Sequence, residues 1–214
     1  MNALDKAKQL FLDGLQHFES EEFELAETKL MQAHLLVPDR LSILMNLSAV
    51  QIKIEKYEQA KSSAQLALAI DANQAELWLN LGIAEKALGA NGQAFQHLER
   101  ALSLNPSLAA AWLHKAWIAI AQRRADDAQK CFEHAEQLDP TFAQSWLTEA
   151  DLSLGALYYK LDQIEKAVAP YQRLLTFDSH KARAIQSLLV IYGELKQHEA
   201  LNTLIQQHNQ VIQA

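Results

Sequence analysis

Three of the four prolines, Pro38, Pro106 and Pro140, fall on one 34-residue grid, with Ala72 in the missing place. A fixed period of this length constrains a chain more than any local propensity. Each period must be one supersecondary unit that cannot bury its apolar face alone and is stacked on the next. The same grid carries Leu10, Leu44, Trp78, Trp112 and Trp146. Four residues after each comes a small residue: Gly14, Ser48, Gly82, Ala116 and Ala150. Ala26, Ala60, Ala94 and Ala128 keep the period, as do Ala33, Ala67, Ala101 and Ala135, with Leu30, Ala64, Leu98 and Phe132 between them.

Positions i and i+4 lie one above the other on a helix, so a bulky residue followed four later by a small one marks a single helix face. The small residue lets a neighbouring helix approach, and the bulky one fills the space beside it. The alanines seven apart mark the facing stripe of a second helix. Proline closes the unit, because it cannot continue a helix and drives the residue before it out of the α region. Half of the residues are hydrophobic, only 6 are Gly and 4 Pro, and no window alternates apolar with polar residues. The expected fold is therefore all-α, built of antiparallel helix pairs.

These residues resemble the tetratricopeptide repeat, of the bacterial type, over nearly the whole chain. The resemblance implies a right-handed superhelical solenoid of hairpins at about 3–36, 40–70, 74–104, 108–138 and 142–177, with a capping pair at about 181–214, all one domain over 1–214. The fifth unit departs from the grid. Trp146 and Ala150 are in phase, but Gly155, Tyr158, Ala167, Tyr171 and Leu174 fit the pattern five residues late, as if two registers ran along one helix.

A formal net charge of -7 with no basic stripe argues against nucleic acid as a partner. Cys131 is alone, which excludes an intramolecular disulfide and a cysteine zinc cluster. The eight histidines form no His-x3-His pair on a helix face, and no phosphate loop or nucleophile elbow occurs. No cofactor, metal or catalytic residue is expected, and the chain reads as a binding protein and not an enzyme. Residues 1–13 are amphipathic and charged, unlike a secretory signal, no apolar run could span a membrane, and the expected location is cytoplasmic. Lys115 and Glu149 stand where earlier units have Leu47 and Leu81, which suggests an ion pair between them.

In the resembled family the first helix of each pair lines a concave groove that holds a peptide or helix. Carried over residue by residue, that row is Phe11, Leu15 and Phe18, then Met45, Ala49 and Ile52, then Leu79 and Ile83, then Leu113, Trp117 and Ile120. Beside it stand Asn46, Asn80 and His114, at a slot where the family often uses asparagine to hold a peptide backbone. The family's clamp for a carboxylate tail needs lysines and arginines where this chain has Phe11, Leu15, Met45, Ala49, Glu76 and Ala110. The resemblance thus implies a scaffold that binds a peptide or amphipathic helix in an apolar groove. Self-association through that groove, and service as the N-terminal recruiting arm of a larger enzyme such as a bacterial glycosyltransferase, are the alternatives.

Overall fold

The computed structural model describes residues 2–212; Met1 and the last two positions of the expected cap, 213 and 214, lie outside them. The described residues form thirteen helices and no strand: α1 (Ala3–Glu19), α2 (Phe23–Leu36), α3 (Leu41–Lys53), α4 (Tyr57–Ile70), α5 (Ala75–Ala87), α6 (Asn91–Leu104), α7 (Ala109–Ala121), α8 (Ala125–Leu138), α9 (Pro140–Ala143), α10 (Leu147–Lys160), α11 (Ile164–Leu174), α12 (Asp178–Glu194) and α13 (His198–Ile212). Two compact units divide the chain, residues 1–115 and 116–214.

The turn inside each hairpin is the same hydrogen-bonded object. Glu21, Glu55, Gly89, Arg123, Asp162 and Lys196 all have φ between 55° and 82°, the left-handed region. The following N–H reaches back to close the helix: Glu22 to His17 O at 2.9 Å, Lys56 to Gln51 O at 2.8 Å, Ala90 to Glu85 O at 2.8 Å, Arg124 to Ala119 O, Gln163 to Tyr158 O and Gln197 to Tyr192 O at 2.9 Å. This is the Schellman closure, which satisfies carbonyls that a helix end would otherwise leave without partners. From 21 to 123 the turns keep the 34-residue period; the next falls at 162, five residues late, and the last, at 196, resumes the period.

In the first unit α2 and α4 are each enclosed by the helix before and the helix after. Ala26, Leu30, Leu47 and Val50 form one buried cluster, with Phe11, Phe18 and Phe23 packed against it, and so join α1, α2 and α3. Leu44, Ala64, Ala67, Leu77 and Leu81 form another, with Leu41, Met45, Leu68 and Trp78 against it, joining α3, α4 and α5. The small residues act as the sequence implied. A Cβ on Gly14 would stand 2.9 Å from Leu30 Cγ, and one on Gly82 would stand 2.8 Å from Leu98 Cγ.

In the second unit the same sixteen-residue contact recurs at Gly155, where a Cβ would stand 2.6 Å from the Tyr171 ring. The fifth hairpin therefore closes in the late register. Of the in-phase pair, Ala150 shares α10 with the late-register Gly155 and Tyr158, as the sequence suggested, whereas Trp146 stands outside that helix, at its N-cap. Pro140 starts the four-residue α9, capped by Asp139, whose carboxylate accepts from Phe142 N at 2.9 Å. Trp146, with φ -131° and ψ -10°, then separates α9 from α10. The five extra residues are housed in this connector, and the hairpin itself keeps its ordinary length. Trp78 and Trp112 donate their indole N–H to the carbonyls of Ala72 and Pro106, six residues back, at 2.8 and 3.1 Å. Trp146 is stacked on Phe132 at 5.5 Å, but its buried N–H finds no such carbonyl among the described residues.

Candidate functional site

The first helices of successive hairpins touch one another in the first unit, α1 against α3 and α3 against α5. On α3, Ile43, Leu44, Leu47, Ser48, Val50 and Gln51 are buried, whereas Met45, Ala49 and Ile52, at i, i+4 and i+7, are half-buried. On α5, Leu77, Leu81, Ala84 and Glu85 are buried, and Leu79, Asn80 and Ile83 are half-buried. Phe11, Leu15 and Phe18 on α1 are half-buried too. The helical period thus sorts each helix into a face that meets its own hairpin and an apolar stripe that keeps partial access to water.

Not every residue of the expected row is equally available. Phe18 meets Phe23 edge-on at 5.5 Å across the hairpin turn, and Met45 leans on the cluster around Leu44. Leu113 is only 6 % exposed and belongs to the core of the first unit. In the second unit Trp117 and Ile120 are half-buried, and the Trp117 indole packs edge-on against Phe132 at 5.0 Å. Ile52, Leu79 and Ile83 carry the exposed share of the stripe.

The polar slot is largely engaged already. Asn46 donates its side-chain N–H to Ser42 O at 2.8 Å, within its own helix. Asn80 donates to Ser48 Oγ at 2.9 Å, bridging α5 to α3, and Ser48 donates in turn to Met45 O at 2.8 Å. His114 differs, since its Nδ1 is buried and without a hydrogen-bond partner among the described residues. Burial, and then the nearby Lys86 ammonium, hold its pKa down at about 4, so the ring is neutral at physiological pH. Lys115 does not await Glu149. Its ammonium lies 3.2 Å from Glu99 Oε1, 4.7 Å from the Phe95 ring centre and 5.1 Å from that of Trp112, while Glu149 is exposed. The aromatic faces and Glu99 supply the compensation that burying the lysine stem requires, which the sequence expectation had assigned to a distant carboxylate.

Sequence reasoning missed the polar contacts near the turns, which tie together the two helices of the second and third hairpins and tie the fifth hairpin to α8 of the fourth. Ser63 donates to Gln51 Oε1 at 2.7 Å in the second hairpin, and His97 Nδ1 lies 2.6 Å from Glu85 Oε2 in the third, with Lys61 Nζ 3.6 Å from the other oxygen. Tyr158 holds the equivalent slot of the fifth hairpin and donates to Gln129 Oε1 at 2.6 Å and Asp126 Oδ1 at 3.0 Å. Gln51, Glu85 and Tyr158 share that slot but no residue class, so no periodic letter announced it. No group of three His, Cys, Asp or Glu side chains among the described residues is arranged to hold a metal ion, and no described helix is long and apolar enough to cross a membrane.

Comparison with known proteins relates the arrangement to a known repeat and fold. Residues 85–152 match the family model of the tetratricopeptide repeat. No curated protein matches the sequence. Among solved structures, the MamA protein is 21% identical with a TM-score of 0.67, over 84% of this chain and 95% of its own. PilF of Pseudomonas aeruginosa is 17% identical with a TM-score of 0.67, over 97% and 92%. YrrB, a tetratricopeptide-repeat protein with an unusual peptide-binding site, is 20% identical with a TM-score of 0.64, over 83% and 89%. The all-helical arrangement, with its recurring close contacts at Gly14, Gly82 and Gly155, is the fold of these solved tetratricopeptide-repeat structures, and residues 85–152 carry the repeat itself.

Proposed function

We propose that this chain is a protein-interaction scaffold whose first unit seats an extended or helical apolar peptide along Leu15, Ala49, Ile52, Leu79 and Ile83. The observation that carries this reading is the half-buried stripe on α1, α3 and α5, repeated on helices that touch one another, beside faces that are fully buried. A contiguous apolar strip with partial access to water is a common mark of a binding surface. A peptide-binding site in YrrB, of similar fold, supports the reading by analogy.

The test uses Ile52→Ala with Ile83→Ala. Both side chains are half-buried and lie outside the clusters that close the hairpins around Leu30 and Ala64. Full burial of such a side chain contributes about 1.5–3 kcal/mol, and each is already half-buried in the free protein, so losing two should weaken a complex roughly ten- to a hundredfold. The double variant should keep its helical circular dichroism and fail to capture the partners that the unaltered protein retains from a native lysate. Retention of every partner by a folded double variant would remove the stripe from the mechanism. Trp117 is a poorer probe, because its contact with Phe132 mixes folding with binding.

A further inference from the structure

A cavity of about 250 Å³ opens beside α1 and the start of α3, lined by Leu4, Ala7, Lys8, Phe11, Val37, Arg40, Ser42 and Ile43. Its floor is apolar and its two charged members are both cations. Lys8 and Arg40 are exposed, and neither forms an ion pair among the described residues. The nearest acids in sequence do not neutralise them: the Asp5 carboxylate turns back to the Asn2 N–H, and Asp39 makes no ion pair. Two unpaired cations flanking an apolar hollow are conspicuous on a chain whose formal charge is -7. α3 adds to the positive field, since it begins at Arg40 without a side-chain cap and has no acidic residue in its first turn.

We propose that this pocket docks an acidic segment of a partner protein, a large apolar side chain entering the hollow while the flanking carboxylates meet Lys8 and Arg40. The size decides between ligand classes. Drug-sized and cofactor-sized ligands occupy clefts of about 300–1,000 Å³, so this hollow suits one side chain of a longer chain. Charge decides the flanks: a basic segment would be repelled by both cations, and an uncharged one would leave them unused. The inference rests on the reading that these first helices bind protein, and it adds the chemistry that selects the partner. Phe11, expected in the apolar row, forms part of the wall here.

The experiment follows backbone amide shifts of the full chain while adding the acetylated, amidated hexapeptide Gly-Asp-Phe-Leu-Asp-Gly. The expected result is shifts centred on Lys8, Arg40, Ser42 and Ile43, and binding that weakens between 50 and 300 mM salt, the mark of exposed ion pairs, since the Debye length falls from about 14 Å to about 6 Å over this range. Changing both Asp residues of the peptide to Asn, or Phe-Leu to Ser-Ser, should weaken it at least fivefold. Lys8→Glu with Arg40→Glu should do the same with unchanged melting, since both side chains are exposed. Equal binding by the Asn peptide or by the charge-reversed protein would overturn the proposal. So would shifts confined to Ile52 and Ile83, an outcome that leaves the apolar stripe standing and removes this pocket. Sodium decanoate is the second probe; if it shifts the pocket amides and the peptide does not, the hollow takes a free lipid carboxylate and the proposal falls. Peptide binding that persists in Ile52→Ala with Ile83→Ala would support the pocket even where that variant's partner capture is unaltered.

Discussion

Two residue-scale features have measurable consequences. Glu55 and Arg123 sit at φ 60° and 59°, where a Cβ crowds the backbone, and Gly89 occupies the same turn position at 82°. The left-handed conformation costs a side-chain-bearing residue about 1–2 kcal/mol, and glycine gives back part of that through the greater freedom of the unfolded chain. Glu55→Gly and Arg123→Gly should each raise stability by roughly 0.5–1 kcal/mol, read as a higher urea midpoint. Gly89→Ala should lower it, although nothing lies within 4 Å of the added Cβ, so the loss isolates the backbone cost. Asp151 is fully buried; it accepts from Arg173, and its second oxygen has no partner among the described residues. Burial raises its pKa to about 6 against the pull of Arg173, with Glu136 adding to the rise. The folded pKa lies above the unfolded value, so the folded state binds the proton more tightly, and stability falls as pH rises from about 4 through about 6. The full shift corresponds to about 3 kcal/mol as an upper figure. Asp151→Asn should flatten this slope in urea titrations at pH 4 and pH 7, and an unchanged slope would place the pH dependence on another group.

At the scale of elements, the hairpins were legible in the sequence to the extent that steric demands recur in the same letters. Ala26, Ala60, Ala94 and Ala128 are all fully buried where only a small side chain fits, and Leu30, Ala64, Leu98 and Phe132 share a buried slot that varies in size but stays apolar. The turns were illegible for the opposite reason: hydrogen bonds made by the backbone define them, and five of the six left-handed positions carry Glu, Arg, Asp or Lys. The break between α9 and α10 was hidden by Trp146, whose in-phase position suggested a continuous helix although its ring packs on Phe132. The register of the fifth hairpin can be tested directly. Gly155→Ala drives a Cβ against the Tyr171 ring and should cost about 1–3 kcal/mol by overpacking. Gly92→Ala, in α6 with open space around it, should instead stabilise by up to about 1 kcal/mol. In the candidate site, the apolar stripe was legible as helical spacing. The engagement of Asn80 by Ser48 and of Lys115 by Glu99 was not, because both depend on which neighbouring helix comes within reach.

Across the whole molecule, clusters built from three consecutive helices make stability a sum of local interfaces. Leu30→Ala, at a fully buried position, should cost about 2–5 kcal/mol and speed amide exchange in α1, α2 and α3 while leaving α12 nearly unchanged. Uniform acceleration along the chain would instead mean a single cooperative transition. The five-residue offset bears on how such a chain can change its copy number. It lies in the connector around α9, outside every hairpin, and the period resumes from Asp162 to Lys196. A gene segment duplicated or lost between any two like turns on one side of the connector rejoins in frame with its neighbours' contacts. The same exchange across the connector carries the offset with it as a spacer. Such an array can lengthen or shorten by recombination without a new core having to be invented at the junction.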